Sequence, residues 1–304
     1  MNVGFFGSGA FGLPTLEALL GEHDVSFVVS QPDRPAGRRR ERRATPIAEA
    51  ATERDLHLLR PERLDDATVA TIRDLPADAW VVIAYGLKLP PTLLQDRFAC
   101  NLHGSLLPRW RGAAPIQRCL MAGDDETGVS VITLASVMDA GELLATRRTA
   151  VDPLETAGEL HDRLSLLGPA PVLETLSALE AGTLAPESQD EAAVTQASKL
   201  SRADATVDFS LPSGLVQGRT HGLTPWPGCD VMLGSDQLRL RRVRACPDEP
   251  TEAEPGTILA SGRVACGSGQ LEILEVQSPG GRPMTWDQWQ LGHPVEPGAR
   301  FNST

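Results

Sequence analysis

The stretch that decides the fold is NVGFFGSGAFGLP, residues 2–14. An apolar run leads into a glycine-rich turn, and Pro14 then opens a helical pattern, as expected of a strand followed by a helix. The run VSFVVS at 25–30 predicts a second strand. Thr45 before Pro46 marks the next helix start, with threonine as the N-cap and proline at the first helical position. Strands that alternate with helices predict an α/β protein with a mainly parallel, Rossmann-like sheet.

The alternation continues along the first 181 residues. Further strands are predicted at WVVIAYG (80–86), FACNLHG (98–104) and VSVITL (129–134), and helices at 65–74, at 115–121 and, as a pair broken at Gly168-Pro169, at 155–181. Alternating strands and helices imply a mainly parallel sheet with helices on both of its faces.

The pattern changes after a polar stretch at 183–205 that lacks an apolar period. Beyond it, short apolar runs are separated by glycine turns, at CDVMLG (229–234), QLRLRRVRA (237–245), GTILA (256–260), GRVACG (262–267) and QLEILEVQS (270–278). Closely spaced short strands predict a small all-β domain. We therefore expect a catalytic domain over 1–184, a linker over 185–204 and an OB-like β-barrel over 205–304.

Composition limits the classes of function. A net charge of −12 disfavours a protein that coats nucleic acid or DNA indiscriminately, because such binding is mostly phosphate neutralisation. No run approaches the roughly 18 apolar residues of a membrane helix, and the first residues lack a basic leader, so we expect a cytoplasmic protein without membrane contact. The five cysteines show no C-x-x-C spacing, which predicts neither a disulfide framework nor a metal site.

The stretch CNLHGSLLPRWRGAAP at 100–115 holds the first candidate for chemistry. Side chains alternate along a strand, so Asn101 and His103 point to the same face. The prolines and glycine that follow end the strand, which places this pair at its carboxyl end, where ligands bind in open α/β sheets.

Asp139, in ASVMDAGELL, is a third polar group at the end of an apolar run. Asp before Ala-Gly is usually a turn residue, but together with Asn101 and His103 it forms a set suited to attack by an amine on a carbonyl. The asparagine would donate to the developing oxyanion, the histidine would hold a proton, and the aspartate would orient the imidazole and favour its charged form. The sequence contains no G-x-S-x-G nucleophile turn, so direct transfer is favoured over a covalent intermediate.

GSGAFG at 7–12 matches the G-x-G-x-x-G dinucleotide pattern and supports an NAD-dependent oxidoreductase as an alternative. That function needs an acidic residue at the end of the second strand to hold the ribose. Here the strand ends at Ser30 and Gln31, and Asp33 lies beyond Pro32. The glycines are explained equally well as a tight turn.

DRPAGRRRERR at 33–43 is the most basic segment, with six arginines and two acidic residues and a local net charge of +4. Such a run is commonly a solvated loop, but on an acidic protein it also suits a phosphate-bearing partner. The stretch LRLRRVR at 238–244 is a second basic patch, which an exposed strand would also explain.

The chain resembles the methionyl-tRNA formyltransferase family in NLHGSLLPRWRGAAPIQ, QPDRPAGR, VVIAYGLKLP, MDAGELL, KLSRADATVDFS and PWPG. These motifs occur in the family's order over nearly the whole chain. At the first turn, where the family more often has glycine-threonine-proline, this chain has Gly7-Ser8-Gly9.

The resemblance implies the formyltransferase fold and formyl transfer from 10-formyltetrahydrofolate to the amino group of methionyl initiator tRNA, without a metal. It implies that Asn101, His103 and Asp139 are catalytic. The residues implied to contact folate are Ser105, Leu106, Leu107, Pro108, Tyr85, Gly86, Leu87 and Leu89. The residues expected to contact tRNA are the arginines of the basic segment, Arg34, Arg38, Arg39, Arg40, Arg42 and Arg43.

Three alternatives differ in class. A sugar-nucleotide or glycinamide ribonucleotide formyltransferase could use the same trio, but the separate β domain and PWPG argue against it. The oxidoreductase rests on the glycine motif alone. A non-catalytic RNA-binding module leaves the polar trio without a role.

Overall fold

The structure, a computed structural model, describes residues 1–36 and 41–303. The strands are β1 (Asn2–Gly7), β2 (Asp24–Val29), β3 (Arg34–Ala36), β4 (Glu41–Arg43), β5 (Leu58–Leu59), β6 (Ala79–Ile83), β7 (Phe98–His103), β8 (Arg111–Gly112), β9 (Glu126–Thr133), β10 (Leu143–Ala150), β11 (Gln196–Ala197), β12 (Cys229–Leu233), β13 (Asp236–Cys246), β14 (Val264–Ala265), β15 (Gln270–Gln277), β16 (Met284–Thr285) and β17 (Phe301–Ser303). The α-helices are α1 (Leu13–Glu22), α2 (Pro46–Glu53), α3 (Asp66–Arg73), α4 (Pro91–Leu94), α5 (Pro115–Ala122), α6 (Ala157–Leu167), α7 (Pro169–Glu180), α8 (Ser213–Gly222) and α9 (Trp286–Gln290).

The chain divides into two units. The first unit contains Met1–Arg111, Gly128–Arg148 and His161–Gln196, and the second contains Gly112–Thr127, Thr149–Leu160 and Ala197–Thr304. The segment predicted as a linker includes a 3-10 turn at Glu191–Ala193, the short strand β11 and a second 3-10 turn at Arg202–Asp204. The domain boundaries drawn from the sequence stay a prediction.

The sheet of the first unit has seven strands in the order β10-β9-β7-β6-β1-β2-β5. The pairs β1–β2, β1–β6, β2–β5 and β6–β7 are parallel, while β7 and β9 are antiparallel. Every residue of β6 is buried, as expected of a central strand covered on both faces. The predicted Rossmann-like α/β sheet is confirmed.

Local signals set several helix ends where the sequence predicted them. Thr45 Oγ1 accepts a hydrogen bond of 3.1 Å from the backbone N–H of Ala48, and Pro46 occupies the first helical position. The predicted helix pair is α6 and α7, and Gly168 lies between them. A Cβ on Gly168 would lie 2.5 Å from Leu102 Cδ2, so the glycine also permits close packing against β7.

The second unit contains an antiparallel sheet in the order β14-β15-β13-β12-β17, with β16 paired to β15. It curls into a half-barrel, so the smaller C-terminal β domain is confirmed. The prediction of a strand at GTILA is wrong, since Thr257 and Ile258 form only isolated bridges with Arg300 and Val264. The segment is too short and too close to its turn to extend the ladder.

Two glycines let α8 lie against α5 within the second unit. A Cβ on Gly218 would lie 2.3 Å from the carbonyl oxygen of Leu120, and one on Gly222 would lie 2.7 Å from that of Gln117. The helix carries His221, whose side chain is buried and whose Nε2 accepts a 3.1 Å hydrogen bond from Val243 N. Burial, with the nearby Arg242 charge, lowers the pKa of His221 to about 4.

We predict that His221 makes the second unit sensitive to acid. Its pKa is lower in the folded protein than the value of about 6.5 expected in the unfolded chain. The contribution of the neutral imidazole to the free energy of unfolding is therefore complete above pH 6.5 and is lost as the pH falls towards 4. This one group should lower the free energy of unfolding by about 3 kcal/mol over that window. The measurement is denaturant unfolding at a series of pH values, for the wild type and for His221→Gln, whose side chain accepts the same hydrogen bond but does not titrate. An equal loss of stability in both proteins would contradict the assignment.

Candidate active site

The predicted polar pair lies at the carboxyl end of β7, next to the end of β6. Asn101 is opposite Val82 in the parallel β6–β7 register. Cys100 and Leu102 are buried in the interior, while Asn101 is partly exposed and His103 is 6% exposed. The strand therefore ends with Asn101 and His103 at the sheet edge where α/β proteins bind ligands.

His103 contacts a different loop through each ring nitrogen. Its Nε2 is 2.9 Å from the carbonyl oxygen of Trp110, and because a carbonyl can only accept, this nitrogen carries the proton. Its Nδ1 is 3.7 Å from Oδ2 of Asp139, whose side chain is 13% exposed. The structure thus brings His103 and Asp139 together, although they are 36 positions apart in the sequence.

The Asn101 amide is available to a ligand. Among the described residues its side chain makes no hydrogen bond, although it is only partly exposed. The preceding residue is unsuited to nucleophilic chemistry, because burial raises the pKa of the Cys100 thiol to about 12. The geometry therefore supports direct transfer assisted by an amide donor.

The segment from Ser105 to Pro108 is fixed to the strand beside His103. Ser130, opposite His103 in the β7–β9 register, donates through its hydroxyl to the carbonyl oxygen of Ser105 at 2.8 Å. The same hydroxyl accepts a 3.1 Å hydrogen bond from Leu107 N. Leu107 is buried, and Leu106 and Pro108 are partly exposed. This arrangement makes a firm, mostly apolar wall close to His103.

The second predicted pocket segment, Tyr85 to Leu89, follows β6 at the same sheet edge. Tyr85 and Leu89 are buried, Leu87 is partly exposed, and Gly86 is exposed with a φ of +83°. A Cβ on Gly86 would lie 2.4 Å from Nε2 of Gln31, so a larger residue would have to displace the Gln31 amide and adopt a positive φ. Gln31 itself donates to the carbonyl oxygen of Tyr85 at 2.7 Å.

Three residues of this edge have left-handed backbone angles, which are uncommon outside glycine. They are Ala84 at φ +47°, Trp110 at +67° and Asp139 at +55°. Each such residue costs of order 1–3 kcal/mol and persists only where its surroundings hold it, most commonly at functional sites. Two of the three supply the partners of His103. The sequence predicted the Asp139 carboxylate but not the Trp110 carbonyl, because a backbone carbonyl carries no residue signal.

The Ser8 hydroxyl in the glycine turn after β1 is hydrogen-bonded to other residues of the protein. Ser8 Oγ donates to the carbonyl oxygen of Tyr85 at 3.1 Å and accepts from Gln31 N at 3.1 Å. Asp33, the acidic residue nearest to a ribose-binding position, forms an ion pair of 2.7 Å with Arg60. The polar groups at the strand tips therefore bind one another, which leaves the oxidoreductase interpretation without its acidic contact.

The two described ends of the basic segment pair with each other, β3 with β4 and Arg34 opposite Arg43, and this strand pair is called the hairpin here. Arg34, Arg42 and Arg43 are exposed, and Arg42 donates to the carbonyl oxygen of Asp33 at 3.0 Å. The residues Arg38, Arg39 and Arg40 lie outside the described part of the chain. Arg34 and Arg43 present their charges side by side on one hairpin.

The second basic patch, on β13, is not a free positive surface. Arg239 pairs in bidentate geometry with Asp230 at 2.7 and 2.9 Å. The remaining arginines of the strand pair with glutamates, Arg241 with Glu275, Arg242 with Glu159 and Arg244 with Glu272. Because each charge has an acidic partner, this strand is better explained as an ion-paired surface than as a phosphate-binding one.

Two negative findings apply to residues 1–36 and 41–303. Over that span the His, Cys, Asp and Glu side chains form no group of three or more that could hold a metal ion. In the same residues, no helix combines the length and apolar character needed to cross a bilayer.

Comparison with known proteins matches both parts of the chain to one family. The model of the formyl transferase family matches residues 1–176, and that of the formyl transferase C-terminal domain matches residues 199–294. A methionyl-tRNA formyltransferase of Cereibacter sphaeroides is 41% identical over 302 residues, which is 98% of each chain. One of Heliobacterium modesticaldum is 40% identical and covers 99% of this chain and all of its own.

Solved structures share the fold at low sequence identity. An N-formyltransferase from Helicobacter canadensis, in complex with folinic acid and dTDP-3-aminofucose, has a TM-score of 0.68 at 11% identity over 89% of this chain and 98% of its own. HypX from Aquifex aeolicus, in complex with tetrahydrofolic acid, has a TM-score of 0.60 at 16% identity over 95% of this chain. The present chain spans 46% of the length of HypX.

The two matches together cover most of the chain, which is therefore an enzyme of the formyl transferase family. Within that class, the chain belongs to the methionyl-tRNA formyltransferase family. The predicted family and the predicted class of enzyme, a one-carbon group transferase, are confirmed.

We predict that the glycine turn does not bind a dinucleotide. Because Gln31, Ser8 and the Tyr85 carbonyl satisfy one another, an incoming pyrophosphate or ribose would have to break those hydrogen bonds without gaining an acidic contact. Titration calorimetry with NAD and NADP should show no binding at micromolar concentrations, with folinic acid as the positive control. Micromolar NAD affinity that changes in Gln31→Ala would contradict this interpretation of the turn.

Proposed function

We propose that this chain transfers a formyl group from 10-formyltetrahydrofolate to the amino group of methionyl initiator tRNA, at a site formed by Asn101, His103 and Asp139. The observation that carries the proposal is the geometry of His103, which lies between the Trp110 carbonyl and the Asp139 carboxylate. Beside it is Asn101, whose side-chain amide makes no hydrogen bond within the described part of the chain. Membership of the methionyl-tRNA formyltransferase family supports both substrates.

The residues around the trio fit a folate. The partly exposed Asn101 amide offers two donors to a formyl oxygen. Beside it lie the mostly apolar Ser105 to Pro108 segment and the Tyr85 to Leu89 segment, which follow the adjacent strands β7 and β6. We assign Ser105, Leu106, Leu107, Pro108, Tyr85, Gly86, Leu87 and Leu89 to folate contact. When bound, the folate supplies the formyl carbon as an activated amide.

Side chains of the protein then stabilise the charge that develops during the transfer. As the methionyl nitrogen bonds to the formyl carbon, the formyl oxygen becomes an oxyanion, and the Asn101 amide donates to it. His103 in its charged form stabilises the same oxyanion, and Asp139 stabilises the imidazolium. When the bond from the formyl carbon to the folate nitrogen breaks, that nitrogen takes up a proton and the attacking nitrogen loses one, so the net proton count is unchanged.

The basic segment is the proposed contact with tRNA. On a chain with net charge −12, a polyanion binds only where local positive charge is concentrated. Arg34, Arg42 and Arg43 supply such charge in the described hairpin, and we include Arg38, Arg39 and Arg40 from the sequence. Action in the cytoplasm and the absence of a DNA partner are part of the same proposal.

We predict that Asn101→Ala, His103→Ala and Asp139→Ala each reduce turnover by about a hundredfold or more, because each removes stabilisation of the transition state. The assay offers charged initiator tRNA and free amino sugars as acceptors, with labelled formyl folate as donor. The melting temperature of each variant shows whether the fold is kept. Turnover within a few fold of wild type in all three variants would contradict the site assignment, and transfer only to amino sugars would contradict the tRNA substrate.

We also predict that Arg34→Gln with Arg43→Gln weakens tRNA binding and leaves folate binding unchanged. The slope of log affinity against log salt should fall by about one unit for each lost phosphate contact. The matched control is Arg244→Gln with Arg300→Gln, which removes the same net charge from residues already paired with Glu272 and Glu254. If both pairs of substitutions change the salt slope equally, only the overall charge matters and the hairpin is not the contact.

A further inference from the structure

A polar segment of the first unit contacts both loops that supply partners to His103. Residues 187–195, called the strap here, begin at Glu187, which exchanges backbone hydrogen bonds of 2.7 and 2.9 Å with Leu143. The strap ends at Thr195, whose Oγ1 accepts a 2.8 Å hydrogen bond from Trp110 N and whose carbonyl oxygen accepts one of 2.9 Å from Arg111 N. Both ends of the strap are therefore attached by hydrogen bonds.

Gln189 lies near the centre of the strap, and both the nitrogen and the oxygen of its side-chain amide form hydrogen bonds. Its Nε2 donates to the carbonyl oxygen of Asp139 at 2.8 Å and to that of Gly141 at 2.6 Å. Its Oε1 accepts a 3.0 Å hydrogen bond from Nε of Arg111. A glutamine has two such N–H donors, so both are committed to the loop that carries Asp139.

Arg111 holds Gln189 from the other side. Only 5% of the Arg111 side chain is exposed, and its two terminal nitrogens donate to Glu191 at 3.2 and 2.8 Å. Arg111 follows Trp110 directly, and the Trp110 carbonyl accepts from His103. The Gln189 amide thus joins the loop behind one nitrogen of His103 to the loop behind the other.

The Asp139 loop depends on outside support. Asp139 has a φ of +55°, and Gly141 is so close to β9 that a Cβ on it would lie 1.7 Å from the carbonyl oxygen of Thr133. Residues 135–138 are exposed, including 63% of Val137 and 64% of Met138, so packing within the loop contributes little. The two bonds from Gln189 fall on either side of the Asp139 to Gly141 turn.

We propose that Gln189 is a positioning residue for the transfer, because it fixes the Asp139 carboxylate relative to His103. The inference rests on the proposed function for its effect on turnover, and adds to it a residue outside the three catalytic positions. A displacement of about 1 Å at a catalytic group can cost about a hundredfold in rate. Gln189 acts through Asp139, so its effect requires that the aspartate be present.

The first test is a double-mutant cycle with Asp139→Asn. Gln189→Ala removes all three hydrogen bonds, and Gln189→Glu keeps the Arg111 bond but loses both donors. Each should lower kcat tenfold or more while KM for formyl folate and for charged tRNA stays within twofold. In the Asp139→Asn background, the same changes should cost less than twofold, because the group that Gln189 positions has been removed.

The control is Gln196→Ala, which removes an exposed glutamine of the same unit that makes no side-chain hydrogen bond among the described residues. It should leave kcat unchanged. Wild-type kcat in both Gln189 variants, or an equal loss with and without Asp139→Asn, would overturn the proposal.

The second test does not depend on turnover. Hydrogen exchange of the peptide covering 134–142 should become at least tenfold faster in Gln189→Ala than in wild type or Gln196→Ala, since the turn loses two of its supports. Unchanged exchange would overturn the proposal. If the wild type does not formylate charged tRNA, the proposed function fails while this measurement still decides whether Gln189 holds the loop.

Discussion

The structure of the site depends on the position of the His103 imidazole between groups from two separate loops. The carbonyl of Trp110 faces Nε2 at 2.9 Å, and the carboxylate of Asp139 faces Nδ1 at 3.7 Å. Both partners belong to residues with left-handed backbone angles. The bulky Trp110 would not adopt this backbone by local preference, so the surrounding hydrogen bonds must hold it.

The order and direction of the strands account for this arrangement. Parallel β6 and β7 end at the same edge, so the segments that follow them, from Tyr85 and from Ser105, leave the sheet at the edge where Asn101 lies. The antiparallel strand β9 then returns beside β7 and brings Ser130 opposite His103, where its hydroxyl fixes the apolar segment. The groups that we propose for catalysis therefore lie close to one edge of the sheet.

Much of the fold and part of the site could be predicted from the sequence, because they follow from short-range patterns. Alternation along β7 placed Asn101 and His103 at a strand end, and Thr45 with Pro46 marked the start of α2. The partners of the β13 arginines could not be predicted, since Glu272, Glu275 and Glu159 are far away in sequence. Gln189 could not be predicted for the same reason. Its polar segment has no apolar period, and its hydrogen bonds are to residues 48 and 50 positions away in the loop that carries Asp139.

The most direct measurement of the central claim is a crystal structure of the chain with folinic acid, a folate whose formyl group is not transferred. We expect the formyl group to lie beside His103, with its oxygen within hydrogen-bond distance of the Asn101 amide nitrogen and the ring system against Leu107 and Leu89. Folinic acid bound at the glycine turn after β1, or elsewhere with Asn101 and His103 untouched, would contradict it.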